Sequence, residues 1–379
     1  MLAHQSITRE GHGPLLGKFP THLITVGPPG AAWAVKPAAD FETISEALDV
    51  IPAMPTDFSA IRYTILVAPG HYRERIRMKP QVNLVGISKE SVYIEPWAPS
   101  DSTMTDPKDP KHILRPNTED AVIELASMTN ITNLCILNPQ WATSKNSAIR
   151  GRDVRGFGLS NIDVFPASLW PDNPYFRDPR FKEEKKKNPA IPDFCRGKIL
   201  ELTGNWGTCV ITALGLTYLG PDSFGVWLEG VGQNADCHFI QCFFDALFVE
   251  TETSGAVRIR NCFEVHIRNS ILRVNNMDQV AEVPGGFTAT HEREVLGAAV
   301  DVDGDHVERQ IDTNVFIEGS SLECPRPKEL HSRRLLHIGP NSDCYFKHSS
   351  TDSIMLSGGR FHCGDIPAKV PGADVNGVG

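Results

Sequence analysis

The sequence predicts an all-β chain wound as one single-stranded, right-handed parallel β-helix with a capping helix at its N-terminal end. Three observations predict it. A short apolar strand motif recurs at a nearly constant step, a second strand follows every copy, and no ten-residue helical pattern separates them.

The first strand set is Ile131–Leu137, Phe157–Val164, Val210–Leu216, Cys237–Phe244, Val265–Leu272, Val315–Leu322 and Cys344–Ser349. Each carries a small or polar residue near its middle. These anchors are Asn133, Asn161, Ala213, Gln241, Asn269, Gly319 and His348, and the gaps between them are 28, 52, 28, 28, 50 and 29. A β-sandwich would alternate apolar and polar residues without such a step. In a parallel β-helix each coil lies about 4.8 Å above the last, so residues one period apart stack. Asn133 beneath Asn161 is then expected to form a side-chain ladder.

The second set is 147–151, 198–202, 225–230, 246–250, 297–303, 334–339 and 353–358. The two long gaps become ordinary coils with insertions of 24 and 22 residues (52 less 28, and 50 less 28). The insertions fall at 166–197 and roughly 275–296, with a further excursion at 96–118. Upstream, Phe41, Ile44, Ala47, Leu48 and Ile51 are spaced as one face of a helix, with Asp40 as the expected N-cap. Such a helix would cover the open first coil, whose edge would otherwise be bare. The expected organisation is an N-terminal arm over 1–39, the β-helix over 40–360 and a C-terminal tail over 361–379.

The early segments DFETISEALDVI (40–51), YTILVAPGHYRERI (63–76), VNLVG (82–86), VYIE (92–95) and AVIELASMTNITNLCILN (121–138) resemble the opening of a pectin methylesterase. The resemblance implies the pectin-lyase-like superfamily fold. That family works with two aspartates, two glutamines and an arginine on the following coils. Here the first glutamine motif aligns with NSAIR (146–150), which has no glutamine, and the next aspartate motif meets the insertion at Pro166. FDALFV (244–249) echoes the aspartate motif through Asp245, but more than two coils too late. The fold is therefore expected without the methylesterase site. Pectate-lyase calcium aspartates and the paired aspartates of polygalacturonases are not recognisable either.

Composition narrows the function. The formal net charge is -9, which argues against a nucleic-acid partner and against global attraction to an acidic polysaccharide, although a local basic strip could hold one. No apolar run reaches membrane-spanning length and residues 1–21 lack the apolar core of a signal peptide, so neither membrane nor secretion is expected. Nine cysteines, several within apolar strands (Cys135, Cys209, Cys237, Cys242, Cys262), are expected as buried free thiols. They suit assembly in a reducing cytoplasm or as part of a virion.

The two insertions leave at the same turn, three coils apart, and so by about 14–15 Å along the axis. They are expected to wall a groove with Asp222, Trp227, Glu229, Asp245 and Glu250 on its floor and Trp170, Asp172, Tyr175, Arg177, Asp178 and Arg180 on one wall. Asp222, Glu229 and Asp245 are the candidate catalytic acids, because paired carboxylates can act across a glycosidic bond. Trp170, Tyr175, Arg177 and Trp227 are the candidate ligand contacts, because aromatic rings stack on pyranose faces. KEEKKK (182–187) reads as a solvated loop tip and DVDGD (301–305) as a turn. His238 and His266, one period apart, read as an outward ladder. No metal or cofactor is expected. Three functions remain open: a protein that binds, or binds and cleaves, a glycan, a trimeric phage tail or spike component without catalysis, or an intracellular enzyme acting on a small metabolite.

Overall fold

The computed structural model describes residues 23–29, 38–52, 62–95, 121–138, 147–166, 198–218, 224–231, 235–246, 254–274, 280–283, 286–289, 297–304, 313–324 and 334–364. They form a parallel β-helix, its coils stacked strand on strand in parallel register. Its core is one continuous column of buried aliphatic residues running from Ile24 to Phe346.

The stacking register reproduces the sequence period. Ile131 pairs with Leu159, Leu159 with Ile211, Ile211 with Phe239, Phe239 with Ile267, Ile267 with Ile317 and Ile317 with Phe346. All seven anchors have left-handed backbone, with φ between 48° and 60°. That conformation bends the strand outward and divides its halves between two faces. Asn tolerates it through local hydrogen bonding. Asn161 Nδ2 donates to Asn133 Oδ1 at 2.8 Å, forming the expected ladder. Gly319 meets both constraints at once: φ is +60°, and a Cβ there would lie 2.5 Å from Asn269 Oδ1.

One residue beyond the anchors runs a second ladder. The backbone amides of Cys242, Ser270 and Ser320 donate to the hydroxyls of Ser270, Ser320 and Ser349, one coil further on, at 3.0, 3.1 and 3.0 Å. Each hydroxyl donates in turn to a carbonyl, so the bend leaves few polar groups unsatisfied.

Each coil presents three outward faces. The first is a nine-stranded sheet containing Ile76–Arg77, Ile123–Glu124, Ser147–Arg152, Lys198–Gly204, Phe224–Gly230, Gly255–Arg260, Ala298–Asp303, Leu336–Ile338 and Ile354–Leu356. The second and third faces lie before and after the anchor turn, in the larger sheet. The chain segments that follow residues 166 and 274 both return to the first face, at Lys198 and Ala298, which are three register steps apart. Strands 280–283 and 286–289 pair antiparallel between them.

Two expectations need correction. On the coil of Gln241 the first-face strand is Gly255–Arg260, whereas Phe243–Ala246 belongs to the third face. Residues 246–250 read as a member of the second strand set because the third-face strand is equally apolar. The helix is Ile44–Asp49, and its N-cap is Thr43, whose side chain accepts from the Glu46 amide. Asp40 instead accepts from both the amide and the hydroxyl of Thr25 at 2.8 Å. The first coil grips the helix at both ends. The Glu74 carboxylate accepts from the Ile44 and Ser45 amides, and Lys79 Nζ donates to the Ile51 carbonyl.

The five cysteines read as core thiols are buried and free. Burial pushes the thiol of Cys242 up to about 11. No helix among the described residues is long and apolar enough to cross a membrane.

Candidate functional site

The alternation of each first-face strand sends every second side chain outward, and the in-register stack arranges these side chains in columns. The main column reads Arg77, Glu124, Arg150, Glu201, Trp227, Arg258, Asp301, His337 and Met355. Its charges alternate. With neighbours only about 4.8 Å apart, like charges on adjacent coils would repel directly, and alternation lets Arg150 pair with Glu201 and Arg258 with Asp301.

Glu201 sits at the centre of a buried group of these pairs. It accepts from Ser147 Oγ at 2.6 Å and Arg150 Nε at 3.2 Å, and it pairs with Lys198. Burial alone would raise its pKa. The hydrogen bonds from Lys198 and Ser147 and the charges of Lys198 and Arg150 outweigh that and hold it below the ordinary glutamate range. Further along, Asp301 is 2% exposed and is reached by Arg258 Nη1 at 3.0 Å and His337 Nδ1 at 2.6 Å. DVDGD is therefore not simply a turn: Asp301 and Asp303 are outward strand residues that hold the basic partners stacked beside them.

At the N-terminal end of the column lies a cavity of about 330 Å³ lined by Arg75, Arg77, Ala121, Glu124, Arg150 and Arg152. Four guanidinium groups face one carboxylate there. Arg150 is committed to Glu201, and Glu124 approaches it only to 3.9 Å. Arg77 and Arg152 make no ion pair among the described residues. Planar guanidinium forks bind carboxylate, sulfate or phosphate oxygens in pairs, so this basic lining has the chemistry to hold such an anion.

Of the predicted site residues, Trp227, Glu229 and Asp245 are described, and these three do not converge. Trp227 and Glu229 share the first face, with Trp227 Nε1 donating to Glu229 Oε2 at 3.1 Å. Lys198 lies 4.5 Å and Arg258 5.3 Å from the Trp227 ring centroid, on the coils either side. Cations thus take up the ring faces that a sugar would need. Asp245 lies on the third face, beside Arg273 and one coil further from Glu323. The bend at Gln241 turns it away from Glu229. Burial raises its pKa, Arg273 lowers it and Glu323 raises it, and its Oδ1 has no hydrogen-bond partner. Asp222, Trp170, Tyr175, Arg177, Asp172, Asp178, Arg180 and Glu250 lie outside the described residues, as does KEEKKK.

The second face carries the expected histidine ladder, and it is longer than expected. His238, His266, Phe316, Tyr345 and His362 stack ring on ring at 4.5 to 4.7 Å. Each ring covers its neighbour, so the ladder offers edges to solvent. Aligning all residues three before the anchors would have revealed Phe316 and Tyr345 as well. The arginine cleft was also legible: Arg77 and Arg152 are ordinary outward residues of the early strands. A groove expected between the insertions draws attention away from it. Among the described residues no three His, Cys, Asp or Glu side chains are grouped as metal ligands.

Fold and site together define a parallel β-helix with a charged, arginine-ended first face. No protein-family model matches the sequence, and no curated protein matches it. Among solved structures, the chain is similar to the pectin methylesterase PemA from Erwinia chrysanthemi (12% identity, 88% of this chain, 80% of that chain, TM-score 0.39). It is similar to the pectin methylesterase from carrot (14%, 90%, 88%, 0.33) and to ORF18 of Geobacillus virus E2 (11%, 92%, 62%, 0.43). At such identities and TM-scores neither a residue nor a reaction transfers to this chain.

Proposed function

We infer that this protein binds a glycan bearing anionic groups along its first face, with the cleft of Arg75, Arg77, Arg150 and Arg152 holding a charged group. The observation that carries this reading is the cleft itself: four arginines around a cavity of about 330 Å³, with Glu124 as the single lining acid. Four guanidinium groups gathered with a single lining acid repel one another, and a bound anion relieves that repulsion. The described chain re-enters this face at Lys198 and Ala298, after the insertions expected at 166–197 and 275–296, and long insertions in compact domains tend to serve binding. Beyond the cleft, the alternating charges of the column supply donors and acceptors suited to hydroxyls and carboxylates.

Affinity electrophoresis through neutral, carboxylated and sulfated polysaccharides tests the reading. The wild type is expected to be retarded by at least one acidic polymer, with the retardation falling as salt rises. The double variant Arg77→Gln/Arg152→Gln is expected to lose about tenfold or more in affinity, as two charge-assisted contacts disappear. No retardation of the wild type by any polymer would remove the reading.

A further inference from the structure

We propose that Asp301, His337 and Ser357 form a nucleophilic centre that hydrolyses short acyl esters at the C-terminal end of the first face. Asp301 Oδ1 lies 2.6 Å from His337 Nδ1, and His337 Nε2 lies 2.7 Å from Ser357 Oγ. An acid on one imidazole nitrogen and a hydroxyl on the other is the arrangement that activates a serine. The three parts differ in burial as such chemistry requires. Asp301 is 2% exposed and is fixed by Arg258 as well as by the imidazole, while Ser357 is open to solvent.

The stacked register explains why residues so far apart in sequence meet. Asp301 pairs with His337 on the next coil, and His337 pairs with Met355, two residues before Ser357. With Nδ1 protonated and donating to Asp301, Nε2 can only accept, so the Ser357 hydroxyl donates to it. Ser357 is followed by Gly358 at φ +102° and by Gly359. The Ser357 amide is spent on the Ile338 carbonyl, whereas the amides of Gly358 and Gly359 donate to nothing among the described residues. Two free amides directly after a nucleophile are candidate donors for a developing oxyanion. Met355, 44% exposed and stacked on His337, offers an apolar surface to a small acyl group.

The chemistry balances without a further reactant. Ser357 Oγ bonds to the carbonyl carbon as its proton passes to His337 Nε2. The C–O bond to the alcohol then breaks, and that proton leaves on the alcohol oxygen. Water, deprotonated by His337, attacks the acyl-serine, releases the acid and restores the hydroxyl. Asp301 stays ionised throughout and acts as a positioning residue. This proposal rests on these distances alone and is independent of glycan binding at the arginine cleft.

The test is reaction of the intact protein with a fluorophosphonate, read by mass spectrometry, together with hydrolysis of p-nitrophenyl acetate. One adduct on Ser357 is expected, with none in Ser357→Ala and labelling about 100-fold slower in His337→Ala. Ser357 is exposed, so its variant should fold, and an unchanged polysaccharide-binding profile would separate this test from that of the cleft. For Asp301, the wild type should show a far-downfield imidazole N–H proton resonance that Asp301→Asn lacks. An absent adduct, an adduct elsewhere, or equal rates in wild type and His337→Ala would overturn the proposal.

Discussion

Replacing Ala213 with Asn should stabilise the protein, and the size of the gain can be worked out from the anchor turn. Ala213 has φ +50° and is exposed, in the position that Asn161 occupies one coil earlier and Asn269 two coils later. A non-glycine Cβ in that conformation costs about 1 kcal/mol, and Asn recovers part of it through local hydrogen bonding. Asn161 already donates downwards to Asn133, which leaves its Oδ1 to accept from a new Nδ2 at position 213. That bond adds about 0.5–1.5 kcal/mol net. The sum is about 1–2 kcal/mol, which for a chain of this length corresponds to a rise in Tm of roughly 1–3 °C. The reverse change, Asn161→Ala, removes an existing bond and the local hydrogen bonding that offsets the left-handed backbone, so it should cost about as much. Ala213→Gly relieves the backbone but frees the unfolded chain, and should end near neutral. Urea and thermal unfolding of the three variants measure all of this. A destabilised Ala213→Asn beside a silent Asn161→Ala would show that the ladder is not what holds the turn.

Other expectations concern single buried groups. Glu201→Gln leaves Arg150 and Lys198 without their shared acid and should cost about 3 kcal/mol by urea unfolding. Because the folded pKa of Glu201 is lowered, its contribution is present above the unfolded value of 4.5 and is lost as pH falls through the folded one. Asp245 is the opposite case. Its folded pKa is raised, so the stability it contributes is present below the unfolded value of 3.8 and lost as pH rises through the folded one. Asp245→Asn should therefore raise the urea midpoint at pH 7 by an amount that vanishes in acid. His266 is lowered by burial first and then by His238, with Glu264 opposing and Arg268 assisting. Its stabilising effect is complete above the unfolded histidine value of 6.5 and declines as pH falls, so His266→Phe should flatten the loss of stability below pH 6.5. Gly86→Ala would place a Cβ 2.0 Å from the Asn133 carbonyl oxygen and should lower expression or Tm sharply.

The architecture was readable because period is a geometric property of a solenoid. Seven anchors chosen only for a mid-strand small or polar residue all adopt left-handed φ, and the ladders of Asn133 with Asn161 and of His238 with His266 follow from stacking at fixed offset. The number of faces per coil was not readable to the same degree. Phe243–Ala246 and Gly255–Arg260 are both short and apolar, and only the bend at Gln241 tells which belongs with Trp227. That single slip put Asp245 and Glu229 on one floor when they face different directions. The charged column was hidden for another reason: Arg150, Glu201, Arg258 and Asp301 are unremarkable one by one, and their meaning comes from being stacked. The Asp301–His337–Ser357 contact likewise joins three coils, with no local motif to announce it.

Charge reversal on two faces tests the central claim most directly. Arg152→Glu alters the arginine cleft, and Arg268→Glu alters the second face, while both change the net charge by the same amount. In affinity electrophoresis with an acidic polysaccharide that retards the wild type, Arg152→Glu should abolish the retardation and Arg268→Glu should leave most of it. Equal losses in the two variants, or a loss confined to Arg268→Glu, would place the ligand somewhere other than the first face.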